Sequence, residues 1–506
     1  MSGDDVVDEP ETAPEMTFRD YYEVNLPFGF VGIALDEETG NLRYLTLEPT
    51  LTEEEQEILL RLKGILIERM DIPLSVLKDE ESMEAYLRDQ IQRAFRRFKR
   101  QVAKESEDKY IYYLKRDFLG YGKIDLLMLD PNIEDISCNG LETPLYIWHR
   151  NHESIPTNII YESPNELDAI VTRLAYKAGR QISVARPILE GTLPEGYRVH
   201  LTLDEVSTRG DTFTIRKFRH NPYTIVDLIR FGTVSASVAA YLWVLVDNLR
   251  SVMISGATAS GKTTLLNSVC MFVRPEMKVV TIEEVRELRL HENWIPMVPR
   301  PSFQQGVDDI TLFDLLKSAL RQRPDYIIVG EVRGEEAYTL FQSIATGHGG
   351  LCTIHSDTVD SVIKRLLTEP MNIPPLMLPL MNVVLQIRRV KVGEAVVRRA
   401  TSVTEITGVT KDGTVDAQER FTWNPEFDRF DYIEPHGDED DCFSQISKTR
   451  HIRLERLFEE HERREAIISW MVDRGINTYD EVAKVVRRYY VNPDEVYNAA
   501  RLGLDG

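Results

Sequence analysis

Nine residues, Gly256-Ala257-Thr258-Ala259-Ser260-Gly261-Lys262-Thr263-Thr264, constrain this chain more than any others. They fit G-x-x-x-x-G-K-[ST] and stand between an apolar run, Val252-Met253-Ile254, and a helix-like segment over residues 264–269. Such a loop needs a strand before it and a helix after it. Only then do its backbone N–H groups and the helix N-terminus converge on an anion. The pattern assigns Lys262 to the β- and γ-phosphates of a nucleotide and the Thr263 hydroxyl to Mg2+.

The surroundings agree. Between about residues 223 and 405, helix-like and strand-like segments alternate, with strands predicted at 251–255, 278–282, 326–329 and 351–354. Alternation of this kind predicts an α/β domain with a mainly parallel sheet, which binds ligands beyond the carboxyl ends of its strands. Three further groups fall at or near those ends. Val279-Val280-Thr281-Ile282-Glu283-Glu284 delivers two acids side by side. Successive strand side chains face opposite ways, so one of the two faces the phosphates and can activate a water. An acid pair there also suits a helix N-terminus. Tyr326-Ile327-Ile328-Val329-Gly330-Glu331-Val332-Arg333 ends a buried strand in an acid that can hold Mg2+ through water. Thr346-Gly347-His348-Gly349-Gly350-Leu351-Cys352-Thr353-Ile354-His355 places two histidines around a short strand, as phosphate sensors or as structural residues. Neither histidine has a third ligand at zinc spacing. Arg198, Arg216 and Arg219 precede the loop, and a guanidinium stabilises a transferring phosphoryl group.

Length, charge and cysteine usage narrow the class. The 506 residues predict about three domains. A net charge of −22 argues against broad contact with a nucleic-acid backbone. Cys138, Cys270, Cys352 and Cys442 are far apart and form no C-x-x-C pair, which points to reduced thiols in an intracellular compartment. No apolar run reaches the roughly 20 residues of a membrane span.

The flanks are read as follows. Residues 1–15 are an acidic, disordered tail. Residues 16–110 form a mainly helical, partner-facing region. In it Thr52 and Glu55 make a capping box, and a basic helix over 81–102 carries Arg88, Arg93, Arg96 and Arg97. That basic face is read as solvated or paired with the chain's own acids. Residues 111–218 form an α+β module whose apolar runs (124–129, 145–148, 199–203, 212–215) are broken by turns such as Asn139-Gly140 and Pro194-Glu195-Gly196, around a helix at 165–179. Residues 219–222 are a linker, and 223–410 are the nucleotide-binding domain. Residues 411–506 pass an acidic loop at 434–441 and end in a largely helical region. There Trp470, Met471, Ile476, Val482, Val485 and Val486 form one apolar seam.

With these residues in view, the chain resembles the type II/IV secretion ATPase superfamily, the motors of type II secretion, type IV pili and the archaeal flagellum. Gly120-Tyr121-Gly122-Lys123-Ile124-Asp125, Asp130-Pro131-Asn132-Ile133-Glu134-Asp135-Ile136 and Gly191-Thr192-Leu193-Pro194-Glu195-Gly196-Tyr197-Arg198 are similar to the family's N-terminal domain, closed by Phe213-Thr214-Ile215-Arg216-Lys217-Phe218. Residues 281–284 resemble its acidic box, 330–333 its metal-side motif and 346–355 its histidine box. The resemblance spans about residues 118–410. The four-cysteine loop of the bacterial type II secretion enzymes is absent, which places the likeness with the archaeal branch.

The resemblance implies a RecA-like ATPase domain preceded by a PAS-like N-terminal domain, assembled as a homo-hexamer. It implies ATP and Mg2+ as ligands, Glu283, Glu331, Lys262, Arg198 and Arg216 as catalytic groups, and Thr263 and Glu331 on the metal. Glu284, Arg321, Arg333, His348 and His355 are implied as sensors or interface residues. It also implies a cytoplasmic location, a polytopic inner-membrane platform protein as partner, and indirect action on pilin-like subunits. Three competing readings are a nucleotide-gated scaffold with little turnover, a nucleic-acid translocase and a small-molecule kinase. The presence of both Glu283 and Glu331 speaks against the first. The acidic balance speaks against the second, and the lack of a readable acceptor pocket against the third.

Overall fold

The computed structural model describes residues 18–36, 40–68, 80–98, 104–218, 221–300, 308–393, 395–434 and 441–503. The acidic tail, Arg219 and most of the acidic loop at 434–441 lie outside them. Length alone argues for about three domains, but the chain divides into two compact units, Met1–Arg219 and His220–Gly506. The expected flanking regions are built into these two units.

The first unit opens with a three-stranded antiparallel meander, β1 (Phe18–Asn25), β2 (Gly29–Leu35) and β3 (Leu42–Leu47). The reading of residues 16–110 did not include this meander, although helices still make up most of the region. The period-two signal is present, since Tyr22 and Val24 alternate with Tyr21 and Glu23, but the longer helical stretch behind it dominates the composition. Helices α1 (Glu53–Glu68), α2 (Glu80–Phe98) and α3 (Lys104–Phe118) follow. The capping box forms at α1: Glu55 N–H donates to Thr52 Oγ1 at 3.2 Å and Thr52 N–H to Glu55 Oε2 at 2.9 Å. Leu59, Leu62, Leu87, Ile91, Tyr110 and Leu114 bury the three helices against one another. Two arginines of the basic face of α2 pair with the chain's own acids, Arg88 2.9 Å from Asp108 and Arg93 2.8 Å from Asp89, while Arg96 is exposed and the Arg97 side chain lies outside the described residues.

A 3-10 turn (Gly122–Ile124) and helix α4 (Asp125–Leu129) come next. The apolar run 124–129, grouped in the sequence with the strand-like runs, is thus helical. The Asp125 carboxylate anchors it by accepting the Tyr121 N–H at 2.8 Å. Then come β4 (Ile133–Cys138), β5 (Pro144–His149), β6 (Glu153–Ile160), α5 (Pro164–Lys177), β7 (Ile188–Thr192), β8 (Arg198–Thr202) and β9 (Thr212–Arg216). The nine strands run β1-β2-β3-β6-β5-β4-β9-β8-β7. Strand β5 alternates buried Leu145, Ile147 and His149 with exposed Tyr146 and Trp148, the mark of an antiparallel sheet covered on one face.

The second unit contains α6 (Ile225–Arg230), α7 (Ala236–Asp247), β10 (Val252–Ser255), α8 (Lys262–Cys270), β11 (Val279–Ile282), β12 (Trp294–Met297), α9 (Leu312–Leu320), β13 (Tyr326–Val329), α10 (Glu336–Ala345), β14 (Gly349–Ile354), α11 (Val359–Leu367) and β15 (Val383–Val392). Strands run β12-β11-β13-β14-β10-β15, all parallel, in the RecA-like order that sets one strand between the loop-bearing β10 and the acid-bearing β13. Every residue of β10, β11, β13 and β14 is buried, as helices on both faces require. The sheet continues antiparallel through β16 (Ala395–Val409), β17 (Val415–Asn424) and β18 (Arg429–Tyr432). Residues 411–506 therefore begin as sheet and only then turn helical: α12 (Cys442–Arg450), α13 (Leu454–Arg474), α14 (Tyr479–Val491) and α15 (Pro493–Leu502).

These last helices pack on α7 and α8 as part of one core. Trp243 stacks on Phe272 at 5.0 Å and meets Tyr489 edge-on at 5.2 Å; such pairs contribute about 0.5–1.5 kcal/mol each beyond area burial. Trp470, Met471, Val482 and Val486 are buried there, with Ile476 and Val485 packed against them, so the apolar seam is core. A buried polar knot reinforces the junction. Glu405 accepts from Arg420 at 3.1 Å, from the Cys442 N–H at 3.2 Å and from the Tyr241 hydroxyl. Among the described residues no helix is long and apolar enough to cross a membrane, and all four cysteines are buried and unpaired.

Candidate active site

Strand β10 ends at Ser255 and helix α8 begins at Lys262, so the glycine-rich turn hangs from the carboxyl edge of the parallel sheet. Gly256 must be glycine because a Cβ there would stand 2.3 Å from the Ile387 carbonyl oxygen. Gly261 caps α8 at φ +98°, and Ala259 also takes a left-handed conformation at φ +59°. The Lys262 amine donates to the carbonyls of Gly256 and Ala257, each at 2.9 Å, and so sits across the mouth of the loop. Burial holds its pKa below the ordinary lysine value against the pull of Glu331. Thr263 and Thr264 occupy the first turn of α8, where backbone N–H groups have no helical partner and face an incoming anion.

The acids lie along the same edge. Glu331 follows β13, and its carboxylate is bonded by Arg333 at 2.8 Å. Burial raises the Glu331 pKa, but the bond and charge of Arg333, with Lys262 and His355, outweigh it and hold the group ionised below its ordinary value. Arg333 also reaches Glu284 at 2.9 Å, so Glu331, Arg333 and Glu284 form one line. Glu283 turns the other way. It is 3% exposed, and its Oε1 accepts the N–H groups of Glu287 and Leu288 at 3.0 and 3.1 Å while Oε2 has no partner. Burial lifts its carboxyl to about 7, against those two hydrogen bonds. Both acids lie just past the end of β11, and the pair separates there: one acid is buried and near neutrality, the other ion-paired at the surface.

Other candidates fall elsewhere. His355 follows the carboxyl end of β14, and its charge is felt by Glu331. His348 precedes the amino end of the same strand and is bonded at Nδ1 with the Ser343 carbonyl at 3.0 Å, closing the end of α10. Seven strand steps separate the two, about 23 Å at roughly 3.3 Å per residue. His348 therefore does not sense a phosphate held by its own loop. Arg321, the C-cap of α9, also sits before the amino end of its strand, β13, and is exposed. Arg198 and Arg216 belong to the first unit, where they are directly opposed across β8 and β9. Glu190 lies 3.1 Å from the first and Asp135 3.8 Å from the second. Like charges directly opposed weaken a sheet, and these two acids offset that cost here.

One neighbour of the loop went unread in the sequence. Arg398, on β16, donates from Nε to the Ala259 carbonyl at 3.2 Å, and its Cδ lies 3.2 Å from where a Cβ on Gly261 would stand. The contact depends on the β15–β16 register, which pairs Arg389 with Arg398 and Arg388 with Arg399. The repeated Arg-Arg on either side of Gly393 was the available signal.

The oxygens of Thr263 and Glu331 suit Mg2+, and no group of three or more His, Cys, Asp or Glu side chains among the described residues could hold a metal alone. A metal at Thr263 and Glu331 must therefore take its other ligands from phosphate and water, as Mg2+ commonly does. A cavity of about 880 Å³ belongs to the first unit and is lined by Arg88, Arg116, Tyr121 and Glu195 among others. Two of its polar groups are bonded within the chain, Arg116 by Glu48 at 2.6 Å and Tyr121 by Glu195 at 2.6 Å. The loop chemistry, and not the cavity volume, marks the site.

Residues 128–426 match the family model described as Type II/IV secretion system protein, more than half of the chain. The chain belongs to the type II/IV secretion ATPase superfamily. An uncharacterized protein of Methanocaldococcus jannaschii, MJ0900, is 35% identical to it over 475 residues, covering 88% of this chain and 85% of the relative. The type IV secretion system protein PtlH of Bordetella pertussis is 31% identical over 234 residues, 42% of this chain and 69% of PtlH. Among solved structures, the ATPase DotB of Legionella pneumophila is 18% identical, covers 74% of this chain and 93% of its own, and superposes with a TM-score of 0.40. The pilus retraction motor PilT with bound ADP is 15% identical, with coverages of 69% and 92% and a TM-score of 0.40.

Proposed function

We propose that this secretion ATPase is a Mg2+-dependent, hexameric motor that hydrolyses ATP and drives a polytopic membrane platform protein, which in turn moves pilin-like subunits. In this reading it works at the cytoplasmic face of the membrane through that partner. The observation that carries the catalytic part is Glu283, a buried carboxyl lifted to about 7, on the same sheet edge as the Lys262 loop. A base with that pKa is half ionised near neutrality and suited to take a proton from an attacking water. The loop amides and Lys262 hold the phosphates; the ionised Glu331 and Thr263 would hold Mg2+, which would supply positive charge beside the phosphate oxygens. Arg333, tied to both Glu331 and Glu284, reports the state of that carboxylate to the surface. Arg198 and Arg216 supply the guanidinium pair for the transferring phosphoryl group. The type IV secretion system named for PtlH supports a secretion-type machine as the setting.

The test is MgATP turnover of the full chain and of Glu283→Gln, with sedimentation in a non-hydrolysable analogue. The reading expects turnover, a hexameric mass, and a loss on the order of a hundredfold or more in the variant with ATP binding kept. Equal turnover in the two proteins contradicts the motor. A tight, salt-dependent complex with DNA would favour a translocase instead.

A further inference from the structure

The segment that carries Glu283 is held from an unexpected side. Residues 283–290 leave the sheet after β11, and the Glu283 carboxylate folds back onto the N–H groups of Glu287 and Leu288. Two contacts then pin the next residue. The Arg289 N–H donates at 3.0 Å to Asn267 Oδ1, a buried side chain on the loop helix α8. The Arg289 carbonyl accepts, at 2.9 Å, the hydroxyl of Tyr479 at the start of α14. The Arg289 guanidinium lies over the Tyr479 ring, 4.4 Å from its centroid, and reaches Asp480 at 3.0 Å.

Tyr479 is itself fixed. It is 6% exposed, follows the N-cap Thr478, and belongs to a turn that Asn477 anchors to α6 through Asp227 Oδ1 at 3.0 Å and Thr224 Oγ1 at 3.1 Å. It lies 190 residues beyond Arg289 and outside the 128–426 stretch that matches the family. A carboxylate whose orientation depends on two amides of its own loop is only as well placed as that loop.

We infer that Tyr479 is a positioning residue for Glu283: through the Arg289 carbonyl, the C-terminal helices hold the 283–290 loop in the conformation that aims the carboxylate. The inference rests on Glu283 being the base. It gives the helical end of the chain a task in catalysis, so whatever binds α14 gains a route to the hydrolysis rate.

The test is Tyr479→Phe in the full chain, which removes one hydroxyl and keeps the ring over Arg289. The inference expects kcat to fall about fivefold, the equivalent of one net hydrogen bond, with KM for ATP within about twofold. It expects hydrogen exchange at the Glu287 and Leu288 amides to quicken. It also expects no further loss when the change is added to Glu283→Gln, because the two act as a unit. An unchanged kcat, unchanged exchange at those amides, or an equal loss in both backgrounds overturns it; a bare fall in thermal midpoint with kcat intact also counts against it. If Glu283→Gln alone were as active as the wild type, the assignment of the base would fall, and the exchange measurement would still show whether Tyr479 holds the loop.

Discussion

Glu283→Gln should make the protein more stable at alkaline pH while abolishing its turnover. The wild-type carboxyl sits at about 7 in the folded chain against an ordinary value of 4.5, chiefly through burial, with the Glu287 and Leu288 amides pulling the other way. Between those two values the folded state binds more protons than the unfolded state, so stability falls as pH rises and the full penalty is present above pH 7. A shift of that size corresponds to about 3 kcal/mol at roughly 1.4 kcal/mol per pKa unit. Glutamine keeps an acceptor for the two amides and does not ionise, and so resembles the protonated acid. Thermal unfolding followed at pH 8 and at pH 4 measures the difference. The variant should melt about 6 °C higher at pH 8, taking roughly 2 °C per kcal/mol, and within about 1 °C of the wild type at pH 4. A pH-independent difference, or a less stable variant at pH 8, would refute the claim that a buried, strained ionisation stands behind the base. The same titration predicts that wild-type kcat climbs as pH passes through about 7, since the base works ionised.

Arg398→Ala should weaken ATP and ADP by a similar factor, about tenfold, with kcat little changed, because Arg398 braces the Ala259 carbonyl in ground and transition states alike; calorimetric titration of both nucleotides checks this. Arg216→Ala should lower kcat more than ATP affinity, because its partner charge grows in the transition state; a pure affinity loss in steady-state kinetics would contradict that. Glu405→Ala should destabilise the protein by about 3–5 kcal/mol in denaturant melts, because it strands the buried Arg420 and the Tyr241 hydroxyl.

The parts of this molecule that depend on local pattern were readable in advance. The loop, the four central strands and the Thr52–Glu55 cap each follow from residues within a few positions of one another. The separation of Glu283 from Glu284 was expected from strand alternation, but both acids sit past the end of β11 and part in the loop that follows it. What stayed hidden depends on partners distant in sequence. His348 and His355 look equivalent in one motif, but the strand between them carries them to opposite edges of the sheet. Arg398 meets the loop only through hairpin register, and Tyr479 meets Arg289 only after the C-terminal helices fold onto α7 and α8. The meander at 18–47 was legible as alternation but lost beside the helices that follow it.

Steady-state hydrolysis of MgATP by the full chain and by Lys262→Ala addresses the whole scheme most directly. Removing the one amine that closes the mouth of the loop should cut kcat/KM by at least two orders of magnitude, roughly what losing a buried charge contact to the phosphates implies. Turnover surviving at the wild-type level would mean that phosphate chemistry, if this chain performs any, takes place somewhere other than the turn between β10 and α8.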